Sequence, residues 1–221
     1  MDILTTIFIT GYLVNIAANG HLAKKVSEEK HVEGLSFQTQ ILFALANVCK
    51  IFYFSLTVLN QNILGWIELP LSLLVSGYTI HLFQKYKKLS LSPENSFKYT
   101  LIAVPSCLVL SIFMHPGFIE DGFDFASMMI AMGSYLEAIA FIPQLSIIKK
   151  EGHIKKFMGF YILLLCISRI LRVLFWFALW LDDGGYFWSI IFADLVYVVL
   201  VCDLVYYFLK YRHEPSIMLD R

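Results

Sequence analysis

Charge is scarce in this chain. Only 15% of its 221 residues are charged, against 58% hydrophobic and 16% aromatic; a soluble domain of this size carries about a quarter charged residues. The two signs cancel, with 17 basic and 17 acidic residues. No basic patch with interleaved aromatics is present, which excludes nucleic acid as a partner class. Cysteine is sparse as well. Cys49, Cys107, Cys166 and Cys202 fall in separate apolar runs, with no CxxC and no Cys/His spacing suited to zinc, so they read as buried free thiols. The first residues, MDILTTIF, hold an acid and no basic stretch, so neither a cleaved signal peptide nor an Arg-rich presequence is expected. No set of nucleophile, base and oxyanion donors is visible, and no enzyme activity, cofactor or metal is expected.

What the chain has instead is apolar runs of about 20 residues, the length that crosses a bilayer. Seven spans are expected, approximately 3–23, 37–59, 62–84, 99–115, 123–149, 157–182 and 185–211. The first is interrupted by Asn15, Asn19 and His21, and the fourth is the shortest. The expected fold is an all-α integral membrane protein with one seven-helix domain over 1–221.

Basic residues orient it. With the N-terminus outside, the cytosolic segments hold Lys24, Lys25, Lys30, Lys85, Lys87, Lys88, Lys98, Lys149, Lys150, Lys155, Lys156, Lys210, Arg212 and Arg221. The outside segments hold no basic residue and carry Glu120, Asp121, Asp182 and Asp183. A faint internal repeat runs through this layout. Spans one and five both end in a lysine pair, and counting back places Asn19 opposite Gln144. Spans two and six place Lys50 and Arg169 at similar intervals after Gly34 and Gly152. The pattern predicts two parallel three-helix repeats joined by a linking helix, as parallel-repeat transporters have.

Seven ionisable groups lie within the spans: Lys50, Glu68, Glu137, Arg169, Arg172, Asp194 and Asp203. Facing lipid, each would cost at least ~2.5 kcal/mol at a helix centre, so all are expected to face inward. Lys50, Glu137 and Arg169 share a depth of about 18–20 Å from the cytosolic end. They are expected to form two cations and one anion, with a spare positive charge able to hold a carboxylate. Arg172 follows Arg169 by one turn, with Asp194 as its expected partner. Asp203 lies nearer the cytosol. Such pairs either fix helix register alone or line a polar cavity for an anionic group. Trp66, Trp176, Trp180 and Trp188 suit the membrane interface, and Pro70, Pro105 and Pro143 are expected to kink their helices.

The stretch 133–150, GSYLEAIAFIPQLSIIKK, sets a carboxylate in an apolar run, adds a Pro143-Gln144 pair and closes on two lysines. It resembles the fifth membrane helix of the KDEL receptor family, and its PQ pair is shared with PQ-loop and SWEET-type proteins. Further anchors are Gly34-Leu35-Ser36 leading into Gln40-Ile41-Leu42-Phe43-Ala44, Val104-Pro105, Arg169 with Trp176, Val201-Cys202-Asp203 and Tyr206-Tyr207. The resemblance covers nearly the whole chain. It implies a receptor that returns proteins to the endoplasmic reticulum by a C-terminal peptide signal. It places Lys50 at the arginine that meets the signal's carboxylate, Glu137 and Arg169 at the pair that responds to binding, and Asp203 at an aspartate needed for traffic.

The chain also departs from that pattern. Tyr53 replaces the helix-two aspartate that reads the signal's lysine. Ser127 and Ile130 replace a glutamate and a tryptophan, Ser168 and Arg172 replace two tyrosines, Leu179 replaces an arginine and Phe187 an aspartate. Span one has no starting arginine and no histidine in its luminal half, and the last residues lack a lysine-rich motif. The expected ligand-binding residues are therefore Lys50, Glu137, Arg169 and Arg172, with Asp203 and Asp194 as trafficking or structural charges. Three readings follow: a sorting receptor of altered specificity, a ligand-free subunit of a larger membrane assembly, or a small-solute transporter. Membrane lipids are expected partners in each. The membrane is that of the endoplasmic reticulum or Golgi, with the mitochondrial inner membrane as the alternative.

Overall fold

The computed structural model describes residues 3–32, 34–57, 63–86, 97–118, 122–151, 156–183 and 188–211. They form α1 (Ile3–Glu29), α2 (Phe37–Leu56), α3 (Ile63–Tyr86), α4 (Lys98–Phe113), α5 (Phe125–Ile139), α6 (Phe141–Glu151), α7 (Lys156–Asp183) and α8 (Trp188–Tyr211). No strand occurs among the described residues. Stretches 37–56, 66–86, 125–150, 158–181 and 188–210 are long and apolar enough to cross a membrane, and α4 is a shorter apolar helix. The outer surface is apolar too: Leu74, Leu101 and Val199 are 69%, 71% and 67% exposed. Water would not tolerate such a surface over a whole bundle, whereas lipid tails would. The chain is an integral membrane protein.

Helices lie at all seven expected positions, with α5 and α6 together making the fifth, and five of these positions are long and apolar enough to cross a membrane. Glu120, Asp121, Lys87, Lys88, Lys155, Phe187, Arg212 and Arg221 lie outside the described residues. Within α1–α3 the packing order is α1–α3–α2, and within α5–α8 it is α5–α8–α7. The third helix of each triplet thus sits between the other two. Contacts of α1 with α7 and of α2 with α5 join the triplets into a closed ring, and α4 packs on α5. Two triplets with a helix between them along the chain fit the repeat read from the sequence; their shared packing order and the ring they close were not foreseen.

Of the three prolines expected to kink helices, Pro70 and Pro105 lie within uninterrupted helices, while Pro143 sits in the first turn of α6, just after the break at Ala140 that separates it from α5. The missing Pro143 N–H leaves the Ile139 carbonyl without its helical donor. Tyr99 Oη of α4 donates to that carbonyl at 3.1 Å. The next carbonyl, Ala140, accepts from Thr39 Oγ1 of α2 at 2.7 Å. Ala140 N–H turns back to the Glu137 carbonyl at 3.2 Å. Two neighbouring helices therefore supply what the proline removes, as intramembrane breaks require.

Gln144, singled out in the sequence as half of the Pro143-Gln144 pair and as the counterpart of Asn19, clamps the turn into α2. Its Nε2 donates to the Gly34 carbonyl at 2.6 Å, and its Oε1 accepts the Ser36 N–H at 2.9 Å. Gly34 has φ 74°, a conformation glycine adopts without strain. Ser36 then caps α2, its Oγ accepting the Thr39 N–H at 3.2 Å. Asn19 makes no such clamp; its Nδ2 donates to the Asn15 carbonyl of its own helix.

The four cysteines are free, as expected, but not all are buried. Cys49 and Cys107 are; Cys166 is half-buried and Cys202 is exposed on the outer face of α8. An apolar run predicts an apolar environment, and lipid supplies one as well as a core does.

Gln144→Leu leaves the Gly34 carbonyl and the Ser36 N–H without partners. It should cost about 2–4 kcal/mol, from two buried groups at about 1–2 kcal/mol each, read as a lowered unfolding midpoint in detergent. An unchanged midpoint would show that the clamp is not formed. At the start of α5, Asp124 accepts N–H groups of Ser127 at 2.8 Å and Ala126 at 3.3 Å. Its bonds with Ser127 hold its carboxyl below the usual carboxylate range. This capping stability is present above the unfolded value of about 3.9 and is lost as pH falls through the lower folded value. Asp124→Ala should cost about 1 kcal/mol at neutral pH, and the difference from the parent protein should shrink as pH falls below the unfolded value.

Candidate functional site

Five ionisable side chains from α2, α5, α7 and α8 meet inside the ring. Lys50, Glu137, Arg169, Arg172 and Asp194 are each 3% exposed or less. Close helix approach brings them together. A Cβ on Gly133 would stand 3.0 Å from the Ala46 carbonyl and 3.3 Å from Lys50 Cγ, so glycine lets the lysine stem lie against α5. On the other side Ser168 Oγ donates to the Gly11 carbonyl at 2.7 Å, tying α7 to α1.

Glu137 is the centre. Its Oε1 meets Lys50 Nζ at 2.5 Å. Its Oε2 accepts from Arg169 Nη2 and from Arg172 Nη1, both at 3.0 Å. Asp194 Oδ1 accepts from Arg169 Nη1 and lies 3.7 Å from Arg172 Nη2. Two tyrosines flank the guanidiniums: the Tyr197 ring centre is 3.6 Å from Arg169 Cζ, and the Tyr12 ring centre is 5.4 Å from Arg172 Cζ. Such ring faces attract desolvated cations.

All four expected ligand-binding residues are thus brought together, and Glu137 and Arg169 pair as expected. Asp194 pairs with Arg172 as expected, 3.7 Å from its Nη2, and also accepts a hydrogen bond from Arg169; α7 presents both arginines on one face. Two expectations need correction. The cluster holds three cations and two carboxylates, not two and one, because Arg172 reaches Glu137 from the turn beyond Arg169. Nor do all seven intramembrane groups face inward. Asp203 sits at the lysine-rich end, 48% exposed and 3.8 Å from Lys149, whose ammonium also lies 5.0 Å from the Tyr207 ring centre.

The excess of one positive charge remains, as the sequence predicts. Two polar atoms in the cluster, Arg172 Nε and Asp194 Oδ2, have no hydrogen-bond partner among the described residues. A buried site with surplus cationic donors and an unused guanidinium N–H is suited to a carboxylate, which arginine can bind in a planar, two-point geometry. The signal for Asp194 was in the sequence, an acid one helix along at similar depth. For Tyr12 and Tyr197 there was none, since aromatic residues are common throughout.

The profile of the family described as ER lumen protein retaining receptor matches residues 31–179. Full-length relatives carry the same description. The ER lumen protein-retaining receptor of Drosophila melanogaster is 28% identical over 200 residues, covering 90% of this chain and 91% of its own length. The ER lumen protein-retaining receptor B of Arabidopsis thaliana is 26% identical, covering 96% and 97%. The ER lumen protein-retaining receptor of Entamoeba histolytica is 25% identical, covering 94% of each.

Glu137→Gln removes the carboxylate that three buried cations share. Breaking one partner from a buried ion pair costs about 3–5 kcal/mol, and the unfolding midpoint in detergent should fall accordingly. Adding Lys50→Met to Glu137→Gln returns the surplus to one charge and should recover part of that loss. If the double variant is no more stable than Glu137→Gln, the two residues do not share the contact described.

Proposed function

The chain belongs to the ER lumen protein-retaining receptor family, and from that premise we propose that it is a sorting receptor for a C-terminal peptide signal, with altered specificity. It acts in the endoplasmic reticulum and Golgi membranes, its lysine-rich end in the cytosol and the opposite end open to the lumen. The observation that carries the reading is the buried cluster. Three cations face two carboxylates, and the surplus lies on Lys50, Arg169 and Arg172. A ligand's terminal carboxylate supplies the missing negative charge. When it arrives, it competes with Glu137 for Lys50, and the ion pairs across α2, α5 and α7 exchange partners. An exchange that relocates charge between helices is a means of linking ligand to helix arrangement.

Altered specificity rests on the residues around that cluster. Ser127 and Ile130 of α5 are buried, and Tyr53 of α2 and Leu179 of α7 are half-buried. Where the family pattern has charged or indole groups for the signal, this chain has a phenol, a hydroxyl and two aliphatic side chains. Arg172, in place of a tyrosine, adds a cation beside the carboxylate position.

Full-length protein in lipid nanodiscs should bind suitable peptides only when the last carboxylate is free. Amidating that carboxylate should weaken binding by about thirtyfold or more, the effect of removing one partner from a buried charge pair. Lys50→Met should weaken the free-acid peptide in the same way. Equal binding of acid and amide would overturn the carboxylate site. An ordinary peptide ending in Lys-Asp-Glu-Leu should bind more weakly than about 1 μM at both about pH 5.5 and about pH 7.4. Submicromolar binding that weakens on neutralisation would show that the specificity is unaltered.

A further inference from the structure

The third helix carries an acidic group that the cluster does not use. Glu68, Ser72, Ser76 and Thr79 recur at helical spacing along one face of α3, and the last three are each 2% exposed, so this stripe faces the bundle interior. Ser72 Oγ donates to Glu68 Oε1 at 2.9 Å, and Ser76 Oγ donates to the Ser72 carbonyl. Asn47 Nδ2 of α2 donates to Ser76 Oγ at 3.4 Å. None of the ion pairs among the described residues includes Glu68.

The Asn47–Ser76 bond sets the register of α2 against α3. From that level, away from the lysine-rich end, Lys50 lies one turn along α2 and Glu68 lies two turns along α3. Glu68 is therefore farther toward the opposite end than Lys50 by about 7 Å, at ~1.5 Å per helical residue. In the proposed orientation it lies on the luminal side of Lys50. An extended chain rises ~3.3 Å per residue, so about two residues of ligand span that distance.

Charge gives the same answer independently. The cluster has one positive charge in excess, and Glu68 has one negative. A ligand bearing a carboxylate alone would settle the first and leave the second facing it. A ligand bearing a carboxylate and a base, spaced by about 7 Å, settles both.

We propose that Glu68 is a specificity-determining residue that pairs with a cationic side chain two residues before the ligand's terminal carboxylate. The proposal rests on the receptor reading above and adds the ligand's charge pattern to it. The same geometry disfavours an acid at that position, because two carboxylates would then meet with no cation between them.

The probes are three labelled peptides, otherwise identical: lysine third from the end, aspartate third from the end, and the lysine peptide with an amidated terminus. They are titrated into full-length protein in nanodiscs. Wild type should prefer lysine over aspartate by about tenfold or more. Glu68→Lys should reverse the preference, and Glu68→Gln, which keeps an acceptor for Ser72 Oγ, should abolish it. Should Glu68→Lys fail to fold, Glu68→Gln carries the test. A lysine preference that survives Glu68→Gln overturns the proposal while the amide peptide still binds poorly. If no binding depends on the free carboxylate, the receptor reading falls, and this proposal with it.

Discussion

Glu137 carries one negative charge and stands against Lys50, Arg169 and Arg172 in an interior that water barely reaches. Each of these charges would be costly there alone. Together they are tolerable only while Glu137 is placed to serve all three, and that placement makes demands on the rest of the bundle. Gly133 must stay small for α2 to come close. Ser168 holds α7 against α1 through the Gly11 carbonyl. Asp194 of α8 must supply the second anion. One carboxylate thus ties the two helix triplets together, and a competing carboxylate would act on the same joint.

The break between α5 and α6 serves the same end. A continuous α-helix through Pro143 would leave a clash and an unmatched carbonyl. Dividing it at Ala140 frees two carbonyls, which Thr39 and Tyr99 take up from α2 and α4. One turn later Gln144 holds the start of α2 through Gly34 and Ser36. Glu137 and Gln144 therefore both bind the fifth span to α2, one at mid-depth and one at the lysine-rich end. Movement of α6 relative to α2 would have to break the Gln144 contacts first, which makes the proline-glutamine pair part of the bundle's framework as well as a turn.

Much of this was legible in the sequence. Span lengths follow from the apolar runs, and the lysine pattern orders the ends. Depth counted from those ends found Lys50, Glu137 and Arg169 at one level, because helical rise is regular. The same count placed Asp194 beside Arg172 but could not show that Arg169 would reach it as well. Arg169 and Arg172 differ by one turn, within the reach of their side chains, and helix rotation decides the contact. Asp203 and Cys202 were misplaced for a related reason: an apolar run does not tell a core-facing position from a lipid-facing or rim position. The partners of the Ile139 and Ala140 carbonyls, Tyr99 and Thr39, lie about forty and a hundred residues away in sequence, and no local pattern announces them. The membership in a receptor family came through because the matching residues are spread over nearly the whole chain.

We propose the surplus positive charge in this cluster as the seat for a ligand carboxylate. An electron cryomicroscopy structure of the full-length protein with a bound free-acid peptide tests it most directly. The account predicts the terminal carboxylate within hydrogen-bonding distance of Lys50 Nζ and an Arg169 or Arg172 guanidinium, with Lys50 drawn off Glu137. A peptide bound elsewhere, with Lys50 still on Glu137, would contradict it.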